Sequence, residues 1–171
     1  MTGSLVITQG EHLASADPGV TISTLLGSCV ACCLWDPSAR VGGMNHILLG
    51  TLPTGSEAAP TSAAVHSMEL LVNELLKLGA ARGRLQAKAF GGASMVAGLS
   101  DIGARNGRFL LDYLSREDIP CLSQSLGGAL ARQIVFIPVT GAVRMKFCKA
   151  VMPEPVETGV LPGESGVELF R

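Results

Sequence analysis

Between Val20 and Gly50 the chain reads VTISTLLGSCVACCLWDPSARVGGMNHILLG, and this stretch limits the fold more than any other. It is rich in apolar and β-branched residues, which favour strands, and it is cut twice. Gly27-Ser28 predicts a bend between two short strands inside Val20 to Trp35. Asp36-Pro37-Ser38-Ala39 predicts a turn, because Asp caps turn backbone and Pro pre-sets φ at the next position. A further strand is expected over Val41 to Leu49. Three of the five cysteines, Cys29, Cys32 and Cys33, fall in this segment, just after the first bend.

If 28–35 and 40–48 pair as a hairpin closed by that turn, Trp35 faces Arg40, and counting outward brings Cys29 opposite His46. Directly opposed residues share a face, with Cβ atoms roughly 4.5–5.5 Å apart. A thiol and an imidazole in that relation form a nucleophile and base, and a neighbouring imidazole lowers a thiol pKa below its usual value of about 8.5. Backbone N–H groups at the Gly27-Ser28 bend are then available to an oxyanion. Cys32 lies on the other face, and Cys33 faces Gly42, where there is no base. Cys29 is therefore the candidate nucleophile, His46 its base, and acyl transfer the chemistry.

Other readings of the same residues are weaker. A cysteine in an apolar strand is commonly structural, and Cys32, Cys33, Cys121 and Cys148 are read that way. The Cys29-x-x-Cys32 spacing invites a zinc or redox site, but no second Cys or His pair completes a tetrahedron and alternation separates the sulfurs. No metal and no cofactor are expected. His46 could serve as a hydrogen-bonded core residue, while His12 and His66 are expected at the surface. Gly91-Gly92-Ala93-Ser94 lacks both the P-loop ending and the GxGxxG pattern, and reads as a tight turn.

The rest of the chain supplies helices and more strands. Apolar residues at 65, 68, 71, 72, 75, 76 and 78 predict an amphipathic helix over Thr61 to Leu78, stopped by Gly79, after a Gly/Pro/Thr loop at 50–60. Phe109, Leu110, Tyr113 and Leu114 form the stripe of a second helix over Ala104 to Asp118. Strands are expected at Leu85 to Phe90, and around 121–126, 132–138 and 142–148. The order predicts an α+β single domain, mixed or antiparallel β-sheets packed together and flanked by helices. The expected boundaries are 1–150 for the domain and 151–171 for a tail rich in Pro, Gly and Glu, partly flexible, in which Val167 to Phe170 can pair as a short strand.

A length of 171 residues with 47% hydrophobic residues fits one domain with a sizeable core. Thirteen basic against 14 acidic residues leave no electrostatic footprint for nucleic acid or an anionic membrane surface. The N-terminus lacks the pattern of a signal peptide, no run approaches a membrane span, and an odd number of cysteines points to reduced thiols, so a soluble cytoplasmic protein is expected.

The segments TLLGSCVACCLWDP, GGMNHILLG, AKAFGGASM, IGARN and LGGALARQIVFIPVTG stand in the order and spacing of the chemoreceptor glutamine deamidase family, CheD, which the chain resembles from about Gly10 to Ala150. The most specific part is LGSC followed 17 residues later by the His of GGMNH. The resemblance implies hydrolysis of particular glutamine side chains of bacterial chemoreceptors to glutamate, with receptor methylesterase activity in some members. It also implies a fold similar to the catalytic domain of the cytotoxic necrotizing factor toxins. It makes Cys29 the nucleophile and His46 the general base, and asks for a threonine shortly before the Cys. Thr24 matches by residue type, whereas counting back from the Cys of longer members lands on Ser23; Thr24 is favoured, to orient His46. APTSAAVHSME lacks the aromatic residue that the family often has at its helix entry, which bears on substrate contacts. The implied partners are chemoreceptors as substrate and a CheC-type phosphatase, with no nucleic acid and no membrane insertion. The alternative function is a non-catalytic adaptor that binds receptors and such a phosphatase. The Gly91 to Met95 loop is a candidate wall for a substrate groove beside Cys29.

Overall fold

A computed structural model describes residues 3–49, 58–94, 101–148 and 167–170. Among the described residues, ten strands and two α-helices follow in the order β1 (Gly3–Val6), β2 (His12–Ser15), β3 (Val20–Leu26), β4 (Val30–Asp36), β5 (Val41–Asn45), α1 (Ala58–Lys77), β6 (Gln86–Gly91), α2 (Asp101–Arg116), β7 (Cys121–Leu126), β8 (Ala131–Ile137), β9 (Ala142–Cys148) and β10 (Val167–Phe170). The strands form two five-stranded sheets, β1-β3-β8-β9-β10 and β2-β5-β4-β6-β7. Both are mixed: β1 runs parallel to β3 and β6 to β7, and the other pairs are antiparallel. The α+β architecture expected from the sequence is the one observed.

Three layers result. Leu71, Leu75, Leu110 and Leu114 of the helices pack with Val30, Cys32 and Leu34 on one face of the second sheet. The other face contributes Ala31, Cys33 and Met44 to a separate core shared with Ile22, Leu26, Phe136 and Met145 of the first sheet. β4 is covered on both sides, and all seven of its residues are buried. This is why its sequence shows an unbroken apolar run rather than alternation. Each fully buried leucine contributes about 1.5–3 kcal/mol relative to an exposed one, so both cores depend on these positions.

The predicted helices and most strands lie where the periodicity put them, α1 starting three residues earlier and β6 shifted by one. β1 and β2 were not foreseen. The strand expected over 41–49 ends at Asn45, after which Ile47 makes one isolated bridge to Val30. In the 151–171 region only β10 is described; it pairs with β9, and Phe170 meets Phe90 edge to face with ring centroids 5.3 Å apart. Most of the expected loop at 50–60 and of the expected flexible tail lies outside the described residues.

The hairpin register corrects one expectation. Trp35 pairs with Gly42, not Arg40, and Cys33 with Met44, not Gly42. Asp36 remains in the ladder opposite Val41, and its carboxylate accepts the N–H groups of Ser38 and Ala39. The turn is completed by Arg40, in the left-handed region at φ 59, whose N–H donates to the Asp36 carbonyl at 2.8 Å. Asp36 thus caps the turn from the last strand position, and the pairing moves by two residues. A shift of two preserves faces: Cys29 packs against the core between the sheets, and the His46 ring reaches Thr24 there, although the register no longer sets the two directly opposite.

Candidate active site

Thr24, on β3 of the first sheet, and His46, just past β5 of the second, meet between the sheets. On β3, alternation turns Ile22, Thr24 and Leu26 inward, all buried, and sends Leu25 out to 60% exposure. Ser23 lies on the Leu25 side of the strand. His46 directly follows β5 and is 7% exposed. Its backbone is held by the β1–β2 connection: Gly10 N–H donates to its carbonyl at 2.9 Å, and its own N–H donates to the Glu11 carbonyl at 3.1 Å. Thr24 Oγ1 is 2.8 Å from His46 Nδ1 and donates to the Ile7 carbonyl at 2.7 Å. A hydroxyl carries one hydrogen, and this one is given to Ile7. Thr24 therefore accepts from Nδ1–H, which leaves the lone pair of the ring on Nε2.

Cys29 sits in the bend between β3 and β4, half-buried, against the core between the sheets. The three carbonyls of the bend are all engaged: Ala93 N–H donates to Gly27 at 2.9 Å, Asn106 Nδ2 to Ser28 at 2.7 Å, and Gly92 N–H to Cys29 at 2.8 Å. Immediately afterwards Val30 and Ile47 exchange two backbone hydrogen bonds, tying the bend to the His46 segment. Gly91, at φ 111, is required here, since a Cβ on it would collide with the Cys29 carbonyl. Among the described residues, the N–H groups of Ser28 and Cys29 make no backbone hydrogen bond.

Burial governs the charges. It pushes the Cys29 thiol up to about 11. The expectation of a thiol lowered by His46 is thereby corrected: desolvation of the half-buried sulfur disfavours the charged form. Burial also lowers His46, with the Glu11 carboxylate opposing in part. At neutral pH Cys29 is thus a neutral thiol and His46 a neutral imidazole, protonation states compatible with nucleophilic attack assisted by a general base.

The other thiols separate as expected from alternation. Cys32 packs under the helices while Cys33 faces the inter-sheet core, and desolvation raises both. Cys29 and Cys32 therefore point to opposite sides of the sheet. Among the described residues, no three His, Cys, Asp or Glu side chains are grouped to hold a metal ion. His66 is exposed, and His12 is intermediate. Beside the His46 segment, Val6, Ile7, Gly10, Glu11, His12 and Leu13 line an open groove of about 430 Å³. Of the Gly91 to Met95 loop, residues 91–94 are described and Met95 lies outside.

Sequence reasoning missed the β1–β2 connection and gave no role to Asn106 of IGARN. Asn106 is fully buried on α2; besides its bond to Ser28, its Oδ1 accepts the Leu49 N–H at 2.9 Å. The available signal was a polar side chain on the buried side of a helix that follows a Gly-Gly turn.

Comparison with known proteins adds an independent line. A family model described as CheD chemotactic sensory transduction matches residues 51–147, an interval that begins after Thr24, Cys29 and His46. The probable chemoreceptor glutamine deamidase CheD of Caulobacter sp. (strain K31) is 49% identical over 154 residues, covering 88% of this chain and 80% of that protein. That of Acidiphilium cryptum (strain JF-5) is 46% identical over 174 residues, covering 96% and 92%, and that of Agrobacterium fabrum is 52% identical over 140 residues, covering 81% and 76%. The crystal structure of the Bacillus licheniformis hypothetical protein YfiH superposes with a TM-score of 0.46 at 12% identity over 67% of this chain and 49% of that one, a likeness too slight to carry an argument.

Proposed function

The chain belongs to the CheD family, and we propose from that membership and from the site geometry that it is a cytoplasmic deamidase converting glutamine side chains of bacterial chemoreceptors to glutamate, with Cys29 as nucleophile and His46 as general base. The observation that carries this reading is the Thr24–His46 hydrogen bond, which leaves Nε2 as the basic nitrogen of a buried, neutral ring. Relatives named as chemoreceptor glutamine deamidases supply the substrate class.

The steps follow from amide chemistry. His46 Nε2 takes the Cys29 proton as sulfur attacks the glutamine Cδ, and the carbonyl oxygen becomes an oxyanion beside the N–H groups of the bend. The imidazolium then returns the proton to the amide nitrogen, the C–N bond breaks, and ammonia leaves a thioester on Cys29. Water deprotonated by His46 attacks the thioester, the C–S bond breaks, and the thiol recovers its proton as glutamate departs. A γ-methyl ester would follow the same course with methanol as leaving group, which is how receptor methylesterase activity fits this site. Thr24 holds the ring in the required tautomer throughout, the part that a carboxylate or amide takes in other nucleophile–histidine enzymes.

Incubation with a purified chemoreceptor cytoplasmic fragment, followed by peptide mass spectrometry, tests the reading. Gln-to-Glu conversion by the wild type and none by Cys29→Ala is expected. Absence of conversion by the wild type, with receptor or CheC-type phosphatase binding retained, would favour the adaptor instead.

A further inference from the structure

Asn106 stands outside the nucleophile–base–orienter set, yet it contacts both of the chain segments that carry it. Its Nδ2 donates to the carbonyl of Ser28, the residue before Cys29, and its Oδ1 accepts the N–H of Leu49, three residues after His46. The backbone ladder between these segments stops at Val30 and Ile47, so beyond it the planar side-chain amide supplies the donor and acceptor that a neighbouring strand would have provided. Both functions are needed at once: Asp lacks the donor, and Leu lacks both. The helix carrying Asn106 is seated tightly, since a Cβ on Gly103 would collide with the carbonyls of Gly92 and Ala93.

The consequence follows from peptide geometry. The Ser28 carbonyl and the Cys29 N–H belong to one planar trans peptide, so they point in opposite directions. Anchoring the carbonyl on α2, in the helix layer, turns the Cys29 N–H away from that layer, toward the side on which Cys29 packs between the sheets. We propose that Asn106 is a positioning residue that fixes the Ser28–Cys29 peptide so that the Cys29 N–H is preset to receive the oxyanion formed on the substrate carbonyl. The inference rests on the reading of Cys29 as nucleophile. It assigns to Asn106 no contact with substrate.

The role predicts a specific split between two reactions of the same sulfur. Deamidation develops an oxyanion, whereas alkylation by iodoacetamide, a displacement at carbon, does not. Asn106→Asp and Asn106→Ala are compared with the wild type, with rates normalised to the folded fraction from thermal unfolding so that one poorly folding variant does not decide the matter. With a purified chemoreceptor cytoplasmic fragment, kcat is expected to fall about 10- to 100-fold, KM to change less than about threefold, and the pH profile of Cys29 alkylation to stay within about twofold of the wild type, the pattern of a lost oxyanion donor. The proposal is overturned if kcat per folded molecule is unchanged in both variants. It is equally overturned if alkylation slows as much as deamidation, which would mean that Asn106 merely keeps the thiol in place. Cys29→Ala, run in parallel, keeps the two readings apart: conversion by that variant at the wild-type rate removes the nucleophile itself, independently of what Asn106 does.

Discussion

The hydroxyl of Thr24 lies 2.8 Å from Nδ1 of His46 and donates its only hydrogen to the Ile7 carbonyl, 2.7 Å away, so the ring must donate to the hydroxyl. A residue within β3 of one sheet thereby decides which nitrogen is basic on a histidine that directly follows β5 of the other. Ser23, the alternative left open by counting back from Cys29, faces the opposite side of the strand.

Thr24→Val keeps the shape of the side chain and removes the hydroxyl. It is predicted to lower kcat by about 100- to 10,000-fold, because the ring loses the partner that fixes its tautomer and general-base catalysis is worth about that much. Leaving the Ile7 carbonyl and Nδ1–H without a partner should also cost about 1–3 kcal/mol of stability. Thr24→Ser should retain most activity and Ser23→Ala nearly all of it. Steady-state kinetics of the three variants would reveal the opposite ranking if the orienting residue were Ser23.

The pH dependence has two separate limbs. His46 must be neutral to act as base, and burial lowers its pKa, so activity should be lost only as pH falls below the ordinary value of about 6.5. Glu11 opposes that shift, and Glu11→Gln should move the acid limb further down. Cys29, pushed up to about 11, should be alkylated by iodoacetamide at a rate that keeps rising with pH to about that value instead of levelling near 8.5. A plateau near neutral pH would indicate a preformed thiolate–imidazolium pair.

Asp36 links the hairpin turn to the helix layer. Burial raises its pKa, but hydrogen bonds from Arg84 and from the N–H groups of Ala81, Ala39 and Ser38 outweigh this and hold it at about 2. Because the folded value lies below the unfolded one, near 3.8, its contribution is complete above pH 4 and is lost as pH falls from about 4 toward 2. Asp36→Ala should destabilise by about 2–4 kcal/mol, since several donors lose their acceptor, and should flatten that acid limb in urea unfolding.

Much of this was legible in the residues. The helices show their stripes, and turn signals bound most strands. The Cys29 and His46 pair could be placed on one face because alternation survives a register error of two. What escaped was non-local. β1 and β2 are four-residue segments whose strand character depends on partners 17 or more positions away. The turn register depended on Arg40 adopting a left-handed conformation that nothing in a non-glycine residue announces. The thiol pKa follows from burial between two sheets, and the value of Asn106 from a helix docking onto the bend, neither of which periodicity encodes.

The central claim, that Cys29 carries the acyl group of the substrate, is tested most directly by acid-quenching turnover with a chemoreceptor cytoplasmic fragment and mapping the trapped adduct by mass spectrometry. The account predicts a thioester between the target glutamine's carbonyl and Cys29, absent in Cys29→Ala together with all conversion to glutamate. Conversion at an undiminished rate in Cys29→Ala, or an adduct on another of the cysteines, would contradict it.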